Sequence, residues 1–339
     1  MIKKTMNYIN LRSGGYMGLP KVFVTRTIPR EAQEILSSVS EIEIWPKETK
    51  PPQEVMIKKA SECIGLFTTI EDQINYEVLE SGKGSLQIVS NYAVGYDNFD
   101  INLATKYGII MCNTPDVLSK TTADLAFGLM ISLARNIVTG DKFVRAGNWT
   151  HWHPSTLLGY DVHGMNLLVV GLGRIGVEMC RRAFGFNMDV SYYSRTQKPD
   201  LENELGLKFI PNFDEAISKA DFISIHTSLT AETNHLFGKE QFEIMKENAI
   251  IVNTARGPII DMESLYIALV NKQIAGAALD VTEPEPLNMN HPLLSLENFV
   301  VTPHIGSASI ETRKKMAIAA AKNIEAFLLN KIIPSRINI

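Results

Sequence analysis

Several kinds of residue and pattern are scarce in this sequence, and each scarcity removes a class of explanation. Three cysteines in 339 residues, Cys63, Cys112 and Cys180, form no CxxC pair. That excludes a disulfide framework and fits reduced thiols in a cytosol. No apolar run approaches the roughly 18 residues that a membrane-spanning helix requires. Neither charge sign dominates: 33 Lys and Arg stand against 37 Asp and Glu, a net charge of -4. With a pI near 6.0 there is no electrostatic case for nucleic acid or an anionic membrane as partner. Six of the histidines, His151, His153, His163, His226, His235 and His291, lack metal-ligand spacing, so no metal is expected. The opening MIKKTMNYINLRSGGYMGLP is basic but has no apolar core and is not read as a secretory signal. Asn148-Trp149-Thr150 matches a glycosylation acceptor, which without a secretory route is read as chance, and a cytoplasmic location is expected.

What is present describes an ordinary globular protein, 45% hydrophobic and 21% charged. A chain of 339 residues exceeds one comfortable core and predicts two domains. Residues 1–20, punctuated by Gly14, Gly15 and Gly18, predict a loose tail, with the start at Met1 or Met17 left open. From Lys21 short apolar runs alternate with helical stretches: KVFVT, EIEIW, CIGLF, LQIVSNYA and GIIMCN read as strands. Pro51-Pro52 is placed in the first turn of a helix. Strands alternating with helices predict a parallel sheet covered on both faces, flavodoxin-like, over residues 21–118.

The pattern TTADLAFGLMISLARNIVTGDKFV, Thr121 to Val144, predicts one long helix crossing between domains. The irregular stretch behind it holds Trp149 and Trp152. Loop aromatics of this density are interface anchors, pocket walls or local packing. DVSYYS, FISIHT, AIIVNTA, GAALDV and FVVTP then repeat the strand grammar over residues 119–306. The helical SIETRKKMAIAAAKNIEAFLLN, within 307–339, is long enough to return to the first domain. The expected fold class is α/β: two Rossmann/flavodoxin-like doubly wound parallel-sheet domains with an active-site cleft between them.

The centre of this pattern is NLLVVGLGRIG, Asn166 to Gly176. An apolar strand runs straight into Gly171-x-Gly173-x-x-Gly176 and a helical VEMCRRAF, the context that gives a glycine fingerprint meaning. Gly171 permits the turn, Gly173 lets a pyrophosphate approach the backbone, and Gly176 lets helix and strand pack closely. Free N–H groups and the dipole of the new helix face the phosphates. The next strand, DVSYYS, ends in Ser194-Arg195-Thr196 rather than in the carboxylate that bonds a ribose 2′-hydroxyl, and Asp189 sits at its wrong end. An arginine with two hydroxyls suits a 2′-phosphate. NADP(H) is therefore the preferred cofactor, with NAD(H) as the alternative.

Parallel sheets put their sites at the carboxyl ends of strands. Those ends carry Arg256 after AIIVNTA, Asp280 in GAALDV and His304 after FVVTP. Glu285 lies in a loop punctuated by Pro284 and Pro286 that is able to fold back over them. These are the parts needed to reduce a 2-oxo acid. Arginine grips the carboxylate and polarises the carbonyl, histidine donates a proton as hydride arrives, and glutamate favours the charged imidazole.

The stretches NYAVGYDNFD, NTPDVLSKTTAD, VGLGRIG, YYSRT, NTARG, GAALDVTEPEP and TPHIGSA, in this order and spacing, give the chain a specific resemblance. From about Lys21 onward it resembles the D-isomer-specific 2-hydroxyacid dehydrogenase family, and within it the glyoxylate/hydroxypyruvate reductases. The resemblance implies Arg256 as the substrate-binding catalytic arginine, Glu285 as the histidine's partner and His304 as acid/base. It implies a substrate carboxylate held by amides around Ala93, Val94 and Gly95. Leu172, Arg174, Ile175, Ser194, Arg195, Thr196, Thr254 and Ala255 match cofactor-contacting positions. Thr122 matches a phosphate contact and Asp280 the nicotinamide side. It further implies a homodimer, with Trp152 lent to the neighbouring subunit's site. Phosphoglycerate and phosphite dehydrogenases, and a cofactor-sensing corepressor-like binding protein, are the alternatives. With no regulatory domain or long tail after the return helix, an enzyme acting on a small 2-oxo acid is expected.

Overall fold

Residues 18–338 are described in a computed structural model. Most of the expected N-terminal tail and both candidate start methionines lie outside them. The chain divides into two compact units, one comprising the described residues through Leu118 together with those from Ser309 onward, the other Ser119–Ala308.

The first unit runs β1 (Lys21–Val24), α1 (Arg30–Ser37), β2 (Glu41–Ile44), α2 (Gln53–Glu62), β3 (Gly65–Thr68), α3 (Tyr76–Ser81), β4 (Ile88–Asn91), α4 (Ile101–Tyr107) and β5 (Ile110–Cys112). All five strands are parallel, in the order β2-β1-β3-β4-β5, the flavodoxin-like arrangement. The edge strand β2 alternates exposed and half-buried residues, whereas β3 and β4 are buried throughout, as expected of an edge and of a centre covered on both faces. Successive residues of β1 point to opposite faces: Phe23 joins one apolar cluster, Val22 and Val24 the other. The long last helix of the chain, Ile310–Leu328, packs on α1 and β4 within this unit. Pro52 caps α2 one position ahead of the first turn assigned to it from sequence.

The second unit runs α5 (Ser119–Ala134), α6 (Ile137–Arg145), β6 (Asn166–Val170), α7 (Arg174–Phe184), β7 (Asp189–Tyr193), α8 (Pro199–Leu205), β8 (Lys208–Phe209), α9 (Phe213–Lys219), β9 (Phe222–Ile225), α10 (Lys239–Ile244), β10 (Ile250–Asn253), α11 (Met262–Val270), β11 (Gly276–Leu279) and β12 (Phe299–Val301). Its seven parallel strands are ordered β12-β11-β10-β9-β6-β7-β8, so strand order reverses between β6 and β9, where ligands of such sheets bind. Leu168 and Val170 of β6 enter one core, Leu167 and Val169 the other.

Two readings of the sequence need correction here. The pattern 121–144 is two helices, because Asn136 adopts φ 54° between α5 and α6. Asparagine tolerates that left-handed conformation, and its Nδ2 donates to the carbonyls of Leu157 and Leu158 at 3.2 and 3.0 Å. The same loop claims the Ala134 carbonyl through the Tyr160 N–H at 2.8 Å. A Cβ at Gly159 would stand 2.1 Å from that oxygen, so only glycine allows the approach. The two-residue strand β8 was not anticipated, since so short a run carries no period.

Candidate active site

The glycine turn is built as a phosphate cradle. Gly171 sits at φ 95°, and a Cβ there would lie 2.6 Å from the Thr227 nitrogen. A Cβ on Gly176 would lie 2.3 Å from the Gly171 carbonyl, so strand and helix touch backbone to backbone. Gly173 differs: nothing stands within 4 Å of its absent Cβ. It caps α7 without a side-chain acceptor, and no acidic residue occupies the first turn. The open position, the bare helix N-terminus and the steric demand for glycine on either side fit a dinucleotide pyrophosphate. Leu172 is buried, Ile175 half-buried and Arg174 exposed on this turn. Beyond β7, Ser194 Oγ donates to the Thr196 carbonyl at 2.6 Å, and Arg195 is exposed. Arg195 contributes to holding the Glu232 carboxyl below its ordinary range, after hydrogen bonds from Thr230 and its own backbone.

At the carboxyl ends of β10, β11 and β12 the structure brings together what was read from separate stretches. His304 Nδ1 and Glu285 Oε1 are 2.6 Å apart, and Glu285 Oε2 accepts the Thr282 N–H at 3.4 Å. His304 adopts φ 54° and donates its own N–H to the carbonyls of Asp280 and Thr302, at 2.9 and 3.0 Å. Asp280 is 2% exposed and fully engaged with the loop carrying His304. Its Oδ1 accepts from Thr302 Oγ1 at 2.6 Å and Ile305 N at 2.8 Å, and its Oδ2 from Gly306 N at 2.7 Å. Buried Thr122, from α5, lies against the same loop: its methyl would meet a Gly306 Cβ at 3.3 Å.

Arg256 is held in extended backbone directly after β10. Asn253 Nδ2 donates to the Arg256 carbonyl at 2.7 Å, Asn253 Oδ1 accepts the Ala255 N–H at 2.9 Å, and Arg256 Nη1 donates to the Ala255 carbonyl at 2.7 Å. A Cβ on Gly257 would fall 2.0 Å from the Thr282 carbonyl. The arginine turn and the turn bearing Glu285 are thus in direct backbone contact. The Thr254 hydroxyl is buried with no protein hydrogen-bond partner.

In the other unit the turn after β4 is fixed through its carbonyls. Ala93 accepts from Thr114 N at 2.9 Å, Val94 from Asn113 Nδ2 at 2.8 Å and Gly95 from Asn91 Nδ2 at 2.9 Å. Trp152 is 79% exposed.

Two arrangements were not foreseen. His235 Nε2 and Glu283 Oε2 stand 3.0 Å apart, while the His235 N–H donates to the Pro258 carbonyl at 2.7 Å. This histidine therefore braces the turns carrying Glu285 and Arg256. His226 is half-buried with its ring nitrogens enclosed and no charged partner, and that enclosure pushes it down to about 3, so it stays neutral, bonded through Nε2 to Ser224 Oγ at 2.8 Å. No local signal marks the His235–Glu283 pair, since 48 positions separate its members.

A family model described as D-isomer specific 2-hydroxyacid dehydrogenase, NAD binding domain, matches residues 127–306. The chain is 47% identical over 323 residues to a glyoxylate reductase of Pyrococcus horikoshii, covering 94% of this chain and 96% of that one. A solved structure from Thermus thermophilus superposes with TM-score 0.88 at 42% identity, covering 94% and 99% of the two chains. An NADPH-dependent glyoxylate/hydroxypyruvate reductase of Sinorhizobium meliloti, solved with NADP and malonate, gives TM-score 0.82 at 28% identity over 94% and 96%.

Proposed function

Because the chain belongs to the D-isomer specific 2-hydroxyacid dehydrogenase family, we propose that it reduces glyoxylate or hydroxypyruvate to the D-2-hydroxy acid, with hydride supplied by a bound nicotinamide dinucleotide. The observation that carries this reading is the 2.6 Å contact between His304 and Glu285. With Nδ1 engaged by a carboxylate, the imidazole is oriented, leaving Nε2 to give a proton to the carbonyl oxygen. Arg256 binds the substrate carboxylate and polarises the carbonyl. The N–H groups of Ala93, Val94 and Gly95 are assigned to carboxylate binding by the family resemblance. Thr122, Gly171, Leu172, Gly173, Arg174, Ile175, Gly176, Thr254, Ala255 and Asp280 line the cofactor's path. Loss of NADPH absorbance with glyoxylate, hydroxypyruvate, pyruvate and phosphohydroxypyruvate tests the activity. Rapid turnover of the first two is expected, and no turnover of any of the four would overturn the reading.

The cofactor is NADPH in preference to NADH. The strand-end Ser194-Arg195-Thr196, with Arg195 and Thr196 exposed and no acid among the three, supports this, as does the NADPH dependence of the Sinorhizobium relative. Arg195→Ala is expected to raise KM for NADPH about tenfold or more, the loss of a charge-assisted bond, and to leave KM for NADH unchanged. Equal KM values for NADPH before and after the change would refute the assignment.

The protein forms a homodimer in which Trp152 reaches the neighbouring subunit's site. The exposed Trp149, Trp152, Leu158 and Ile137, all from the stretch around α6 and the loop behind it, support this. A single-chain mass in equilibrium sedimentation would dismiss it.

A further inference from the structure

The 194–198 loop carries the residues assigned to the 2′-phosphate, so whatever holds its shape governs cofactor choice. Its anchor lies outside it. Tyr192, in β7, is fully buried, its ring 5.3 Å from that of Phe209. A phenylalanine would fill the same volume. The hydroxyl sits instead between two segments, donating to Glu202 Oε1 of α8 at 2.5 Å and accepting the Lys198 N–H at 2.7 Å. Glu202 Oε2 accepts from Gln197 Nε2 at 3.0 Å. At the other end of the loop, the Tyr193 carbonyl accepts the Gly171 N–H at 2.8 Å, which ties it to the glycine turn.

The loop is therefore pinned at both ends, and the distal pin is a tyrosine–glutamate pair that the sequence reading did not touch. Burial and the Glu202 carboxylate push the Tyr192 hydroxyl up to about 12, so it remains a donor throughout the neutral range. A hydroxyl in an apolar core is costly unless bonded, and here both its donor and its acceptor capacity serve the loop. Glu202 is half-buried, placed at the open edge of the same network.

We propose that Tyr192 and Glu202 are positioning residues for cofactor specificity. They hold the 194–198 loop in the shape that presents Ser194, Arg195 and Thr196 to a 2′-phosphate. This rests on the NADP(H) reading of that loop. They do not touch the reacting atoms and act only through the loop, so removing the pin weakens recognition of the 2′-phosphate and leaves the rest of the adenosine site as it was.

Two redox-inert probes differing by that one phosphate, 2′,5′-ADP and 5′-AMP, separate these effects by calorimetric titration. The wild-type protein is expected to bind 2′,5′-ADP more tightly. Tyr192→Phe is expected to cut that preference about fivefold, the worth of one hydrogen bond, with 5′-AMP affinity unchanged. Glu202→Ala is expected to do the same, and its half-buried position keeps the test open should the tyrosine variant fail to fold. A strong wild-type preference that survives both substitutions overturns this inference alone. Equal loss of affinity for both probes overturns it too, since that marks general damage. A wild-type protein with no preference overturns the NADP(H) reading and this inference with it.

Discussion

Replacing His304 by glutamine is expected to lower kcat for 2-oxo acid reduction by about 10³-fold while leaving the dissociation constant of the cofactor unchanged. Glutamine keeps much of the side chain's size and a hydrogen bond to Glu285, but it has no proton to give at the moment the carbonyl oxygen gains charge. The loss falls on the transition state and so appears in kcat rather than in cofactor binding. Glu285→Gln keeps the 2.6 Å contact with imidazole in neutral form. Its expected cost is smaller, about tenfold, because the ring stays oriented while a neutral amide replaces the carboxylate beside it. Steady-state kinetics of both directions, with cofactor affinity measured separately by fluorescence, check this. A His304→Gln enzyme retaining most of its kcat would remove histidine from the proton transfer.

The sheets were legible because their strands are short apolar runs bounded by turn residues, as in Ile250–Asn253 and Gly276–Leu279, buried at every position. The glycine turn was legible for a different reason. Its three glycines have separate steric causes, and the structure shows a backbone clash at Gly171 and Gly176 and open space at Gly173. Arg256, Glu285 and His304 could be named because strand ends of a parallel sheet converge, so distance along the chain becomes proximity in space. What stayed hidden depends on pairings that no period records. The break at Asn136 is made by a loop more than twenty residues away that takes over a helix carbonyl, and propensity alone favours continuing the helix. The bond from Tyr192 to Glu202 and the brace from His235 to Glu283 are contacts between side chains of unremarkable local context. Asp280 lies between these cases. Its position was picked out as a strand end, but its three accepted hydrogen bonds are visible only once the chain beyond β12 is folded over it.

That carboxylate supports the second large effect. Asp280→Ala is expected to destabilise the protein by about 3 kcal/mol, because three donors lose a charged acceptor in a site closed to water. For a unit of this size the thermal midpoint falls by about 6–12 °C. The Ile305 and Gly306 N–H groups cannot turn elsewhere, being main chain, so the loop must shift, and His304 shifts with it. A displacement of about 1 Å at a reacting group costs about 10²-fold in rate, which sets the expected fall in kcat at a temperature where the variant remains folded. Asp280→Asn is the sharper probe. One asparagine oxygen still accepts two of the bonds, but its amide then faces a backbone N–H, donor against donor, and one of the three bonds is lost at little change in volume. If Asp280 acts by holding His304, the asparagine variant loses kcat, keeps its cofactor affinity, and shows a smaller fall in thermal midpoint than the alanine variant. Loss of cofactor affinity with kcat intact at saturation would place the carboxylate on the nicotinamide instead. A lowered midpoint with both constants unchanged would make it a structural anchor without influence on the imidazole.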